Sequence, residues 1–538
     1  MLARALRVAG VWLSPPILLG VGPLLLADGT RGLWGPLGLA AGAALVAVVL
    51  APPWAGLPAG RPTLEDLVRH RWPSDGAALL PLAAVTSGSA LLFLWAQLAA
   101  GREVARTFGW PPAALVAVAT IALVLTAWRA ELGAPVAVLG AAVALVGVLL
   151  PLAAVVGVTD PAWPRVWDEV ASRARPVFRD GPWVREGRPV RGVGPEVTLP
   201  VTDEQNVTLL GRGRVRVELW EGRTWSRVVS GATELTLRPG DRLVVPDGFP
   251  VRFQAGRTIP GAPASGMDWL DPGERAADWR ALAGLGVTLL VGALGLAPVH
   301  AALPARRSGG DRAAALGAVF VVLGLAATIL WSLYATWWMP EIYLGGVVGS
   351  EIYELPAMVP ALGPPGTPLR ALAMLGLAGG GVAAALAALS GIPRAPRRDG
   401  REGVLGVGSP VLGVLVAAGA LAGAIPVGPW ALLLAAFGLA ASASAPAAVL
   451  LCWRERLSAR GVAAGATVGL LVFVALTGLR LWHLSGAGGA PGSWLGWLAA
   501  WPALLAMPLN VFATWLLSAG PRPSPRAPLP PGFAELHG

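Results

Sequence analysis

Lysine is missing from all 538 residues, and cysteine occurs once, at Cys452. A lone thiol makes no disulfide within its own chain and supplies no thiolate metal site. Histidine is scarce, with four in total and none between residues 160 and 280. Charged residues amount to 13% against 55% apolar, a balance that excludes an ordinary soluble domain and points to a polytopic membrane protein. The net charge of +10 therefore rests on arginine alone. Such an excess can serve nucleic acid, but here the arginines cluster in short loops between apolar runs, where they set topology instead. Aspartate and glutamate are absent from every one of those runs.

Twelve apolar stretches are long enough to span a bilayer, near 8–27, 33–51, 77–99, 111–128, 134–157, 281–303, 313–338, 371–391, 409–426, 429–452, 461–482 and 494–517. The first and the sixth are interrupted at matching places. Ser14-Pro15-Pro16, with Gly20, Gly22 and Pro23, breaks one; Gly292, Gly295 and Pro298, just before His300, break the other. Proline removes a backbone N–H and clashes with the preceding turn, and lipid offers the freed groups no partner. Paired interruptions of this kind mark a midplane cavity for an ion and a solute, and so a transporter. The loops holding Arg61, Arg69 and Arg71, Arg306, Arg307 and Arg312, Arg394 to Arg401, and Arg454 to Arg460 fall on one side, which predicts cytoplasmic termini. No small-residue cleavage site follows the first stretch, so a cleaved signal peptide is not expected.

That orientation puts the polar segment 160–280 outside the cytoplasm. Trp163 to Phe178 reads as a short amphipathic helix lying along the interface. Beyond it the period changes to two: Val215, Val217 and Leu219 alternate with Arg214, Arg216 and Glu218, and turn pairs Pro239-Gly240 and Asp247-Gly248 separate further short strands. A β-module over about 196–258 is predicted. Its run from Leu237 to Phe253 resembles the second conserved stretch of cupin β-barrels. Metal-binding cupins carry a histidine about where Val251 stands, and without one a metal-dependent oxygenase or isomerase is not expected. The module covers the outer mouth, meets a partner protein, or is a structural insertion.

Outside the insert, several stretches resemble, in order, the acetate-permease branch of the sodium:solute symporter family. Ala9-Gly-Val-Trp-Leu-Ser14 with Leu19-Gly20 is similar to its AGDYMS…LG opening, and Pro62 to Arg71 to its TLxDxLxxR loop. Leu92 to Gln97 is similar to the helix carrying a buried glutamine, and Pro298-Val-His300 with Arg306 and Arg312 to the GLPHxLxRF…AR segment. Ala435 to Pro446, Trp453 and Ala459 to Gly465 resemble the family's AFxxAAS…P…W…RGAxxG helix pair. The resemblance implies an all-α LeuT-type fold of two inverted five-helix repeats with two accessory helices. Its parts would be 1–159, the insert 160–280, 281–453, the accessory helices 454–518 and a cytoplasmic Pro-rich tail 519–538. A bacterial inner membrane location, a small carboxylate solute and a sodium ion are implied with it; no other cofactor is.

The same resemblance implies a cation and substrate site. Backbone carbonyls would come from Ala9, Gly10 and Leu13, beside Ser14. Ala387 and Ala388 stand at the positions of the family's Ser/Thr hydroxyls, leaving Ser390 nearby, and Val11 replaces an aspartate. Sodium sheds water only for oxygen ligands, so these replacements leave the coupling ion open. Gln97 either meets a solute carboxylate or pins one helix to another; His300, Asn510, Ser442 and Ser444 read as packing groups. Glu341, Tyr343, Glu351 and Tyr353 form an outer gate or an interfacial anchor. No nucleophile, base or metal cluster accompanies them, which argues against an enzyme. The remaining readings are a monocarboxylate transporter and a transport-incompetent relative acting as a sensor or as a subunit of a membrane assembly.

Overall fold

The computed structural model describes residues 1–55, 63–72, 75–107, 130–158, 165–172, 176–178, 183–184, 196–246, 249–260, 262–263, 265–271, 279–303, 310–338, 368–392, 428–484 and 494–518. Helices α1 (Leu2–Trp12) and α2 (Pro15–Asp28) meet at 52° across Leu13 and Ser14. Pro15 takes the first position of α2, where its missing N–H costs nothing, and Ser14 is extended at φ −94°, ψ 148°. A 3₁₀ turn leads to α3 (Trp34–Leu45), which continues through a π turn at Val46–Leu50 into α4 (Ala51–Ala55). The short α5 (Leu64–Arg71) precedes α6 (Leu79–Thr107) and α7 (Ala130–Val158).

After α8 (Arg165–Ser172) come six strands: β1 (Trp183–Val184), β2 (Glu196–Pro200), β3 (Gln205–Glu218), β4 (Thr224–Leu237), β5 (Arg242–Pro246) and β6 (Val251–Phe253). Helix α9 (Gly266–Leu270) leads to α10 (Trp279–Gly295) and α11 (Ala297–Ala302), separated by extended Leu296 at φ −71°, ψ 117°. Then follow α12 (Gly310–Trp338), α13 (Pro368–Gly391) and α14 (Pro429–Leu439). A π turn at Ala440–Ser444 joins α14 to α15 (Ala445–Trp453); α16 (Ala459–Leu484), α17 (Trp494–Ala500) and α18 (Ala503–Ser518) complete the described residues.

Among the described residues seven helices are long and apolar enough to cross a membrane, or nine if each of two bent pairs counts as one. The protein is a mostly helical, multi-pass membrane protein. Both predicted interruptions are present, at Leu13-Ser14 and at Leu296. The expected spans 111–128 and 409–426, the gate residues Glu341, Tyr343, Glu351 and Tyr353, and the tail lie outside the described residues. The span expected at 494–517 is present as a bent pair, α17 and α18 turning by 80° at Trp501-Pro502. Proline withholds the N–H that would have carried the helix on.

The insert folds as predicted into strands, all antiparallel, in the order β1-β6-β3-β5-β2 with β4 on the other side of β3. Val207, Leu209, Val215 and Val217 of β3 are buried, as the alternation required. Asp241, 3% exposed, pins the turn before β5 by accepting from the backbone N–H groups of Arg238 at 2.8 Å and Trp220 at 3.2 Å. The sheet is entered and left through a narrow neck, where Val177 bridges Thr258 and Phe178 stacks on Phe253 at 4.7 Å. Next to it α8 buries Val166 and Val170, one helical turn apart, which is the amphipathic pattern expected there. Helix α9 ties the insert to the end of α2: Thr30 Oγ1 donates to the Leu270 carbonyl at 2.8 Å, and Arg31 pairs with Asp271 at 3.2 Å.

Candidate functional site

The first break lies against α13. A Cβ at Gly380 would stand 2.1 Å from the Leu13 carbonyl oxygen, so only glycine lets the two backbones come this close. One turn along, a Cβ at Gly10 would lie 3.1 Å from the Ala383 methyl and 3.0 Å from that of Ala141 on α7. The groups facing the interrupted helix are therefore Gly380 and Ala383, with no side-chain oxygen. Ala387 and Ala388 lie seven and eight positions beyond Gly380, which at about 1.5 Å per helical residue is roughly 10–12 Å away. Ser390 spends its hydroxyl on the Leu386 carbonyl at 2.7 Å, and neighbouring Gly391 abuts Ala297 of α11.

At the break itself the polar inventory is short. The Ala9 carbonyl accepts from Leu13 N–H at 2.9 Å, and the Ser14 carbonyl accepts from the N–H groups of Ile17 and Leu18. Ser14 is fully buried, and its Oγ has no partner among the described residues. Such an orphaned hydroxyl costs free energy unless a ligand or water meets it. Gln97 on α6 is 5% exposed, with neither amide atom partnered among the described residues. No hydrogen bond joins Gln97 to Ser14. Helix pinning by this glutamine finds no partner among the described residues.

The second break is closed by the protein's own groups. His300 Nε2 donates to the Leu294 carbonyl at 2.7 Å while its ring packs on Trp54 at 4.9 Å, and Ser444 Oγ donates to the Gly295 carbonyl at 2.7 Å. Asn510 Nδ2 donates to the carbonyls of Ser442 at 3.0 Å and Ala443 at 2.9 Å, satisfying the π turn. These residues read as packing groups in the sequence, and the hydrogen bonds match that role. Trp12 and Phe437, both fully buried with centroids 6.1 Å apart, pack together beside the first break.

Two charged residues of α5 belong, in the sequence, to the loop motif over Pro62 to Arg71. Arg71, 3% exposed, donates to the carbonyls of Leu451 at 2.7 Å and Glu455 at 2.6 Å, and also to that of Arg454. Burial lowers its pKa to about 10, so it stays charged at neutral pH. Glu65, 2% exposed, accepts from Thr86 Oγ1 of α6. The adjacent carboxylate of Asp66 and the capping threonine hid it, because that pattern marks an exposed helix start. For Gly380 the signal was there: a run of three glycines inside an apolar helix announces a close backbone approach. No group of three or more His, Cys, Asp or Glu able to hold a metal occurs among the described residues.

These interrupted helices belong to a mostly helical, multi-pass protein. Among solved structures the chain is similar to a substrate-bound, outward-open Na+-coupled sialic acid symporter, at TM-score 0.50 and 12% identity over 98% of this chain and 91% of that one. At this identity the likeness concerns the fold. No family model and no curated protein sequence matches the chain, so the acetate-permease branch and the cupin-like stretch rest on sequence motifs alone.

Proposed function

We propose that the protein is a secondary transporter of a small organic solute, a monocarboxylate such as acetate, working by alternating access between two inverted five-helix repeats. The observation that carries this is the pair of interrupted helices, broken at Leu13-Ser14 and Leu296, in a chain whose fold is like that of a solved symporter. Ser14 and Gln97 supply the solute-facing hydrogen bonds, each being buried with unspent polar atoms. Sodium at the meeting of α1 and α13 would have the main-chain oxygens of Gly10 and Leu13 and the Ser14 hydroxyl, but no hydroxyl from α13, where Gly380 and Ala383 lie against the break. Sodium is accordingly a weak partner at that place. Uptake of labelled acetate into proteoliposomes, with and without an inward sodium gradient, tests the reading. Accumulation above protein-free vesicles supports it; none for acetate or other short monocarboxylates overturns it in favour of a transport-incompetent relative. Ala383→Ser is expected to introduce or steepen sodium dependence.

A further inference from the structure

Helix α5 begins with a reciprocal cap: Asp66 N–H donates to Thr63 Oγ1 at 3.3 Å, and Thr63 N–H donates to Asp66 Oδ2 at 3.0 Å. Fixed in this way, the helix turns Glu65 inward. One carboxyl oxygen, Oε1, accepts from the Thr86 hydroxyl, while Oε2 has no partner among the described residues.

The charges around it are committed elsewhere. On α5, Arg69 pairs with Asp66 at 3.4 Å, Arg71 holds the carbonyls at and beyond the end of α15, and His70 is half-buried. Helix α6, packed on α5, has no titratable side chain from Leu79 to Ala100. The other packed element, α15, brings Cys452 and is followed by Arg454, Glu455 and Arg456; none of these is hydrogen-bonded or ion-paired to Glu65. A carboxylate buried without a counter-ion is unfavourable, and the neutral acid is the form this seat accommodates. Burial pushes the Glu65 carboxyl above its usual range, outweighing the hydroxyls of Thr86 and Thr63 and its own amide.

We propose that Glu65 is a proton-binding site, protonated while α5 is seated on α6 and ionised when that seat opens. The proton is taken from and returned to water on the face of the membrane that holds the N-terminus. This site does not depend on the transporter reading.

The direct test is infrared spectroscopy of the full chain in nanodiscs. In a pH titration the wild type is expected to show a protonated-carboxyl C=O band that persists to higher pH than an exposed glutamate's, that Glu65→Gln removes and that Thr86→Val shifts. Thermal melting gives a second readout. Because the folded chain holds the proton more tightly than the unfolded one, stability is full below the ordinary value of 4.5 and falls as pH rises toward the raised folded value. Wild type should therefore lose melting temperature as pH rises above the ordinary value of 4.5, and Glu65→Gln, which mimics the neutral acid, should flatten that slope. Identical bands and identical pH slopes in wild type and variant overturn the proposal. If the band is present but no vesicle uptake occurs, the transporter reading fails and the proton site stands.

Discussion

At Gly380 a single hydrogen atom decides whether α13 touches the first break. Adding a methyl there drives it to 2.1 Å from a main-chain oxygen that has nowhere to retreat. Gly380→Ala is expected to cost roughly 1–3 kcal/mol, read as a lowered melting temperature of the purified protein in detergent. Gly381→Ala, whose methyl would sit 3.4 Å from the Pro15 ring, should cost far less. Arg71 offers a second residue-level test, because its forked donors end three separate carbonyls. Arg71→Ala should cost about 2–4 kcal/mol, and Arg71→Lys should recover only part of it, since one ammonium does not reproduce the fork. Polar groups inside the bundle are explicit in the sequence, as with Ser14 and Gln97, both buried without a side-chain partner among the described residues. What they face on α13 is not legible there, because small apolar residues look alike in sequence.

Helices were the most readable elements of this chain. Apolar runs longer than a bilayer is thick, punctuated by proline and arginine, leave little freedom in where a span begins. Less visible was what happens inside a run. The π turn at Ala440–Ser444 reads in sequence as continuous helix, yet it frees carbonyls that α18 must satisfy through Asn510. Replacing Asn510 with alanine leaves two of them unpaired in an apolar bundle and is expected to cost about 1–3 kcal/mol, measurable by thermal unfolding. Strand alternation in the insert was equally legible, because burying one face of a sheet enforces period two. Pairing order was not, since β3 meets β5 and β6 on one side and β4 on the other through contacts far apart in sequence.

For the molecule as a whole, the neck at Val177 and Thr258 separates sheet from bundle. Replacing residues 179–257 with a short Gly/Ser linker joins ends that are already adjacent. Such a shortened chain should keep a monodisperse elution profile and the helical melting transition of the parent; aggregation or a collapsed transition would mean that the sheet braces the bundle. The proposed repeat symmetry belongs to this scale as well, and a glycine-proline rhythm hints at it only through the positions of the two breaks.

Helix α18, turned aside from α17, measures 16 residues, which at about 1.5 Å each spans roughly 24 Å against the ~30 Å of a typical hydrocarbon layer. Where such a helix crosses by itself, neighbouring lipid thins to match it. Bilayers of shorter acyl chains should therefore hold the protein with less elastic strain than thick, sterol-rich ones, and annular lipid composition becomes a variable in its own right.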